Sequence, residues 1–157
     1  MGHGYFTVLA NGYIVTTETL KNYLASTDLT NRSELKTLSE LYQQELEELN
    51  NGDPKNCFWV KDKPKYAFAI ALSRWWSNTP LPVSLHFERQ HSEDCENILV
   101  TVDGHYHEMD ARGGCGDYEY IDNKFELGEA QKQAIWELFP FLEGQPARLI
   151  LFSYEGS

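Results

Sequence analysis

The chain has 157 residues, 41% hydrophobic and 24% charged, with 4 Trp, 9 Tyr and 8 Phe. That length suits one globular domain, 1–157, and the aromatic bulk supplies a core, which excludes wholesale disorder. Thirteen Lys and Arg against 24 Asp and Glu give a net charge of −11. This argues against direct binding of nucleic acid through phosphate neutralisation, but suits a cationic protein partner, including one that itself binds nucleic acid.

Residues 5–15 read as two β-rich stretches joined at Asn11-Gly12, a dipeptide that favours a hairpin turn because both positions tolerate positive φ. Thr16 and Thr17 offer an N-cap to a short helix through Leu20, Tyr23 and Leu24. A second helix is predicted from Asn31, capped by its side chain, with Glu34 completing a capping box. Its apolar stripe is Leu35, Leu38, Leu41/Tyr42, Leu46 and Leu49, and Asn50 to Pro54 ends it. Cys57 to Val60 reads as a short strand. Pro64 suits a first helical position, and Lys65 to Ser77 is apolar nearly all round, so a central buried helix is predicted.

Pro80 and Pro82 stop that helix, and Val83 to Phe87 alternates as a strand. Ile98–Val102 and His105–Met109 flank Asp103-Gly104, which predicts a second hairpin. After a loop at Gly113-Gly114-Cys115-Gly116, a last helix is predicted from Glu129 to Phe139, with Ala130, Ala134, Ile135 and Leu138 inward and Pro140 as its limit. Ala147 to Tyr154 closes as a strand. Helices and antiparallel strands without βαβ repetition predict an α+β fold, with a mixed, mostly antiparallel sheet and about four helices.

The three cysteines, Cys57, Cys95 and Cys115, are few and odd in number for a secreted disulfide scaffold. Met1 to Phe6 lacks the basic and apolar regions of a secretory signal, and no apolar run approaches the ~20 residues of a membrane span. The cytoplasm is the expected compartment, with no membrane partner. The Asn31-Arg32-Ser33 sequon carries no meaning there.

The chemistry concentrates in one stretch. His86, His91, Cys95, His105, His107 and Cys115 are six of the eight His and Cys residues. Between 88 and 122 lie ten acids (Glu88, Glu93, Asp94, Glu96, Asp103, Glu108, Asp110, Asp117, Glu119 and Asp122) and two bases (Arg89 and Arg112), and ten minus two leaves −8. In a strand, positions i and i+2 share a face, so His105 and His107 could hold one Zn²⁺ with His86 or Asp110 as a third ligand. Without Cys-x-x-Cys or His-Glu-x-x-His, two solvent-facing histidines are the plainer reading. A thiol reading takes Cys115 as nucleophile, with His105 as base and Asp110 as the acidic member. Its plainer counterpart is a loop cysteine of no special reactivity. No P-loop or dinucleotide-binding motif is present.

Trp75 and Trp76 point about 100° apart on a helix. At most one is central, while the other borders a groove or the core's margin. The helix over 31–50 carries Glu34, Glu40, Glu45, Glu47 and Glu48, either a solvated face or an electrostatic docking surface.

The segment Asn97 to Gly104, preceded by the helix through Phe68–Leu72, is similar in outline to papain-like and transglutaminase-like hydrolases. There a catalytic His begins a strand running into Asp-Gly, and the return strand carries an acid. Here Asn97 stands where the His would be and Lys65 where the nucleophilic Cys would be, leaving Glu108 or Asp110 as the acidic member. The resemblance implies a scaffold without its chemistry.

The leading expectation is a non-enzymatic interaction protein, without a cofactor, that binds and inhibits a basic or nucleic-acid-binding partner. Small acidic proteins of this kind are made by phages and mobile elements against host defence. The expected contact residues are Glu88, Glu93, Asp94, Glu96, Asp103, Glu108, Asp110, Asp117 and Glu119, with Glu45 and Glu48 of the acidic helix. The alternative is a metal- or thiol-dependent hydrolase built on residues 86–115. A third reading is a small-molecule module with a pocket of Tyr, Trp and Phe.

Overall fold

Thr16 ends a strand and starts a helix: its hydroxyl accepts the Thr19 N–H at 3.1 Å, which satisfies a donor that the first helical turn leaves free. Asp62 does the same ahead of the helix that carries Pro64 in its first turn, accepting the Lys65 N–H at 3.1 Å. These features appear in a computed structural model that describes residues 4–52, 62–87, 96–110 and 125–156. In chain order the elements are β1 (Gly4–Thr16), α1 (Thr17–Ser26), α2 (Ser33–Asn51), α3 (Lys63–Asn78), β2 (Ser84–Phe87), β3 (Asn97–Thr101), β4 (Tyr106–Asp110), α4 (Glu129–Leu138), a 3₁₀ turn (Pro140–Leu142) and β5 (Arg148–Gly156). The strands form one antiparallel sheet in the order β2-β3-β1-β4, with β5 also on β1. The fold is α+β.

Both expected hairpins are absent, for reasons visible in unprinted positions of the sequence, namely their partners. Asn11-Gly12 lies inside the continuous strand β1, and neither residue has positive φ. A Cβ on Gly12 would stand 2.2 Å from the Val100 carbonyl oxygen, so the glycine serves close backbone approach and not a turn. Asp103-Gly104 does turn, with Gly104 at φ 89. Yet β3 and β4 are not neighbours: each pairs with β1. Smaller corrections concern the helices. The N-cap of α2 is Arg32, without a side-chain cap bond, and not Asn31. Ala130 is exposed on α4, whose buried residues are Ile135 and Leu138. The expected strand at Cys57–Val60 and the loop at 113–116 lie outside the described residues.

The chain divides into two units. One comprises Ile14–Leu81 and Leu85–Leu99. Its centre is the packing of α2 on α3: Leu35 and Leu38 face Phe68, Leu72 and Trp75 as the buried apolar residues of the two helices. Tyr42 meets Phe68 edge-on at 5.3 Å between ring centroids, and the Trp75 indole N–H donates to the Glu34 carbonyl at 2.9 Å. Trp75 is fully buried while Trp76 is half-buried, as adjacent helical positions require.

The other unit comprises Met1–Tyr13, Pro82–Ser84 and Val100–Ser157. There β1 pairs with β4 from Phe6↔Asp110 to Ala10↔Tyr106, and with β5 from Gly4↔Gly156 to Gly12↔Arg148. Buried Asn11 ties the strand to its surroundings: its N–H donates to the His105 carbonyl at 2.9 Å, and its side-chain oxygen accepts the Leu127 N–H at 3.2 Å. Its carbonyl accepts the Thr101 hydroxyl at 2.6 Å. The Trp136 indole N–H donates to the Tyr13 hydroxyl at 3.2 Å, which donates onward to the Gln145 carbonyl at 3.1 Å.

Candidate functional site: an anionic surface

Helix α2 shows how the surface is built. Its inward stripe is apolar, and its opposite stripe exposes Lys36, Glu40, Gln43, Glu47 and Glu48 at helical spacing. Glu40 and Glu47 stand two turns apart, roughly 10 Å along the axis. Glu45, expected on this docking face, instead falls on the inward stripe. It is buried, and its carboxylate receives the Arg74 guanidinium of α3. A carboxylate taken from water needs such a partner, so Glu45 belongs to the α2–α3 packing and not to the surface. Glu48 remains exposed as expected.

The exposed charges are nearly all of one sign. In the unit that holds α2, the exposed acids are Glu18, Asp28, Glu40, Glu47, Glu48, Asp62 and Glu96, against the exposed bases Lys36 and Lys63. In the other unit Asp103, Glu108, Glu126, Glu129, Glu137 and Glu143 are exposed against Arg148, among the described residues. Ion pairs sharpen the imbalance. In Lys21–Glu18 the side chains are 25% and 69% exposed, in Lys65–Glu96 37% and 71%, and in Lys132–Glu129 27% and 82%. The lysine stems lie along the protein while the carboxylates face water. At Asp28 the Thr30 hydroxyl, and then the Thr30 N–H, hold the carboxyl below its ordinary range.

Of the carboxylates singled out from the sequence, Glu48, Glu96, Asp103 and Glu108 are exposed. Asp103 also accepts the hydroxyl of buried Ser84. Asp110 is described by its backbone alone, opposite Phe6. Glu88, Glu93, Asp94, Cys115, Asp117 and Glu119 lie outside the described residues. Reading the acid-rich segment missed the contributions of Glu18, Asp28, Asp62 and of α4. Those acids are scattered in sequence, and only burial of the neighbouring apolar stripes shows that they face out.

The histidines do not assemble as expected. His105 precedes β4, so the two-residue alternation with His107 does not apply. It is 5% exposed, and its Nδ1–H donates to the Phe125 carbonyl, with the two rings tilted at 6.1 Å. His107 is half-buried in β4 opposite Leu9, and His86 is half-buried in β2. Among the described residues, no group of three or more His, Cys, Asp or Glu is gathered as a metal site requires, so the ligand set His86, His105 and His107 is not supported.

A cleft of about 330 Å³ opens beside the start of α1, lined by Thr16, Thr17, Glu18, Lys21, Lys65, Phe68, Glu96 and Asn97. Lys65 and Asn97, the positions where the hydrolase resemblance would place Cys and His, thus share one cleft. Lys65 Nζ donates to Glu96 there at 3.2 Å, and no thiol or imidazole is among the lining residues. The scaffold likeness and the missing chemistry coincide at this spot. Phe68 is its sole aromatic, unlike the Tyr, Trp and Phe pocket of the small-molecule reading. Among the described residues no helix is long and apolar enough to cross a membrane. No family model, curated protein or solved structure matches the chain.

Proposed function

We propose that this chain is a cytoplasmic, non-enzymatic interaction protein whose anionic surface occupies the basic groove of a partner, one that normally holds nucleic acid, and so inhibits it. The observation that carries the reading is the exposure contrast: carboxylates face water throughout both units, while most cations lie half-buried against the protein. Fixed carboxylates at about 10 Å spacing, close to one screening length at physiological salt, present a field that steers an Arg/Lys-lined groove. The analogy to proteins that mobile elements direct against host defence rests on size and charge alone.

Affinity capture from a lysate at low and moderate salt, followed by mass spectrometry, tests this reading. A near-stoichiometric basic protein should be retained at low salt and weakened at moderate salt. The triple variant Glu40→Lys, Glu47→Lys, Glu48→Lys should lose at least tenfold in affinity for it while its far-UV spectrum is unchanged, since all three side chains are exposed. Retention that ignores both salt and the charge reversal overturns the proposal for this face.

A further inference from the structure

Strand β5 stands apart from the charged surface around it. Among the described strands it pairs only with β1, so one of its edges carries backbone N–H and C=O groups with no strand beside them. Its pairing with β1 is unbroken from Gly12↔Arg148 to Gly4↔Gly156, without a bulge. From Arg148 to Tyr154 the strand holds no Pro, Lys, Asp or Glu, the residues that usually blunt an edge against pairing. Leu149 and Leu151, 65% and 70% exposed, share one of its faces. Opposite Leu151 on β1 is half-buried Leu9, which extends the apolar strip inward.

We propose that this edge is a self-association site, at which two copies of the chain pair antiparallel through Arg148–Phe152 and make their two sheets continuous. Charge selects the occupant. A second copy, itself at −11, would be repelled along the carboxylates that dominate the rest of this unit, but this strand offers it none. A cationic strand would instead meet Arg148, the one charge on the stretch. Register also fits. A two-fold axis normal to a sheet keeps each residue on its face, so the sum of paired residue numbers must be even. With Ile150 opposite itself, Leu149 of each copy faces Leu151 of the other, and Arg148 faces Phe152. Four leucines then cover one another, and no carboxylate in the paired stretch opposes another.

Sedimentation velocity on the full chain over a range of concentrations tests the proposal. The expected result is a concentration-dependent dimer, and Leu149→Lys with Leu151→Lys should weaken it at least tenfold. Both leucines are exposed, so the variant keeps its core, which far-UV circular dichroism checks. Register is read by oxidative cross-linking with peptide mapping. Ile150→Cys should form a disulfide between copies through the introduced thiol, whereas Ser153→Cys should not, because its two sites would lie roughly 20 Å apart along the strands. A monomer at every concentration overturns the proposal. So does a dimer indifferent to the lysine pair, or one that cross-links through Ser153→Cys in preference to Ile150→Cys.

Discussion

Gly12 and Gly104 each follow a short polar side chain, Asn11 and Asp103, and both belong to the same unit. Gly12 is buried in an extended strand, with a neighbouring backbone where its side chain would be. Gly104 is exposed, has φ 89, and a Cβ there would meet nothing within 4 Å. One position uses glycine for its missing atoms and the other for its torsional freedom. The Asn11 side chain likewise caps an internal N–H, whereas Asp103 accepts the Ser84 hydroxyl beside the turn. A dipeptide that favours turns is therefore also suited to a crowded strand crossing, and only the partner strands decide between them.

The largest expected effect follows from that distinction. Gly12→Ala places a Cβ against the Val100 carbonyl oxygen, a backbone atom that cannot swing aside, and should destabilise the fold by on the order of 3 kcal/mol. Urea denaturation measures it, and a loss under ~1 kcal/mol would remove the close approach as the reason for this glycine. Asn11→Ala should cost about 2 kcal/mol by leaving the buried Leu127 N–H without its acceptor. Asn11→Asp keeps an acceptor oxygen and should retain part of that stability near neutral pH. Gly104→Ala meets no atoms and faces only torsional strain, so about 1 kcal/mol is expected. If Gly104→Ala proved more damaging than Gly12→Ala, the contrast drawn between the two sites would fail.

The same physics separates what the sequence made legible from what it did not. Helices α1 and α3 could be read because their determinants are local: the Thr16 hydroxyl cap, Pro64 in the first turn, and an apolar run ended by Pro80. The α+β class followed from those helices and the alternating strands. Strand pairing was not legible, since β3 and β4 find β1 across some 90 residues and not each other across Asp103-Gly104. At the candidate site, the excess of negative charge was plain, but not its arrangement. Glu45 looks like its neighbours in sequence, and only Arg74 on the facing helix turns it inward. His105 and His107 share a strand-like spacing, yet the turn at Gly104 leaves His105 outside β4.

The smallest effect lies at Tyr106, which pairs with Ala10 immediately before Asn11 and so reports whether the junction between the two dipeptides is intact. Burial pushes its phenol above the ordinary value of 10.0, and the negative charge of Glu108 adds in the same direction. The unfolded chain therefore releases this proton at a lower pH than the folded one. Between those two points the unfolded state binds fewer protons, so raising pH favours unfolding. The contribution is constant below about pH 10 and is lost progressively above it. Tyr106→Phe should match the parent chain near pH 8 but lose stability less steeply with alkali, and Glu108→Gln should fall between them, because it removes only the lesser cause. Urea midpoints followed from about pH 8 to pH 11 give the slopes, and absorbance of the phenolate gives the titration. Equal slopes for the parent and Tyr106→Phe would mean that the phenol is not buried in the β1–β4 pairing. Gly104→Ala, which strains the turn without displacing β4, should leave the steeper slope in place, while Gly12→Ala should abolish it along with the strand crossing on which it depends.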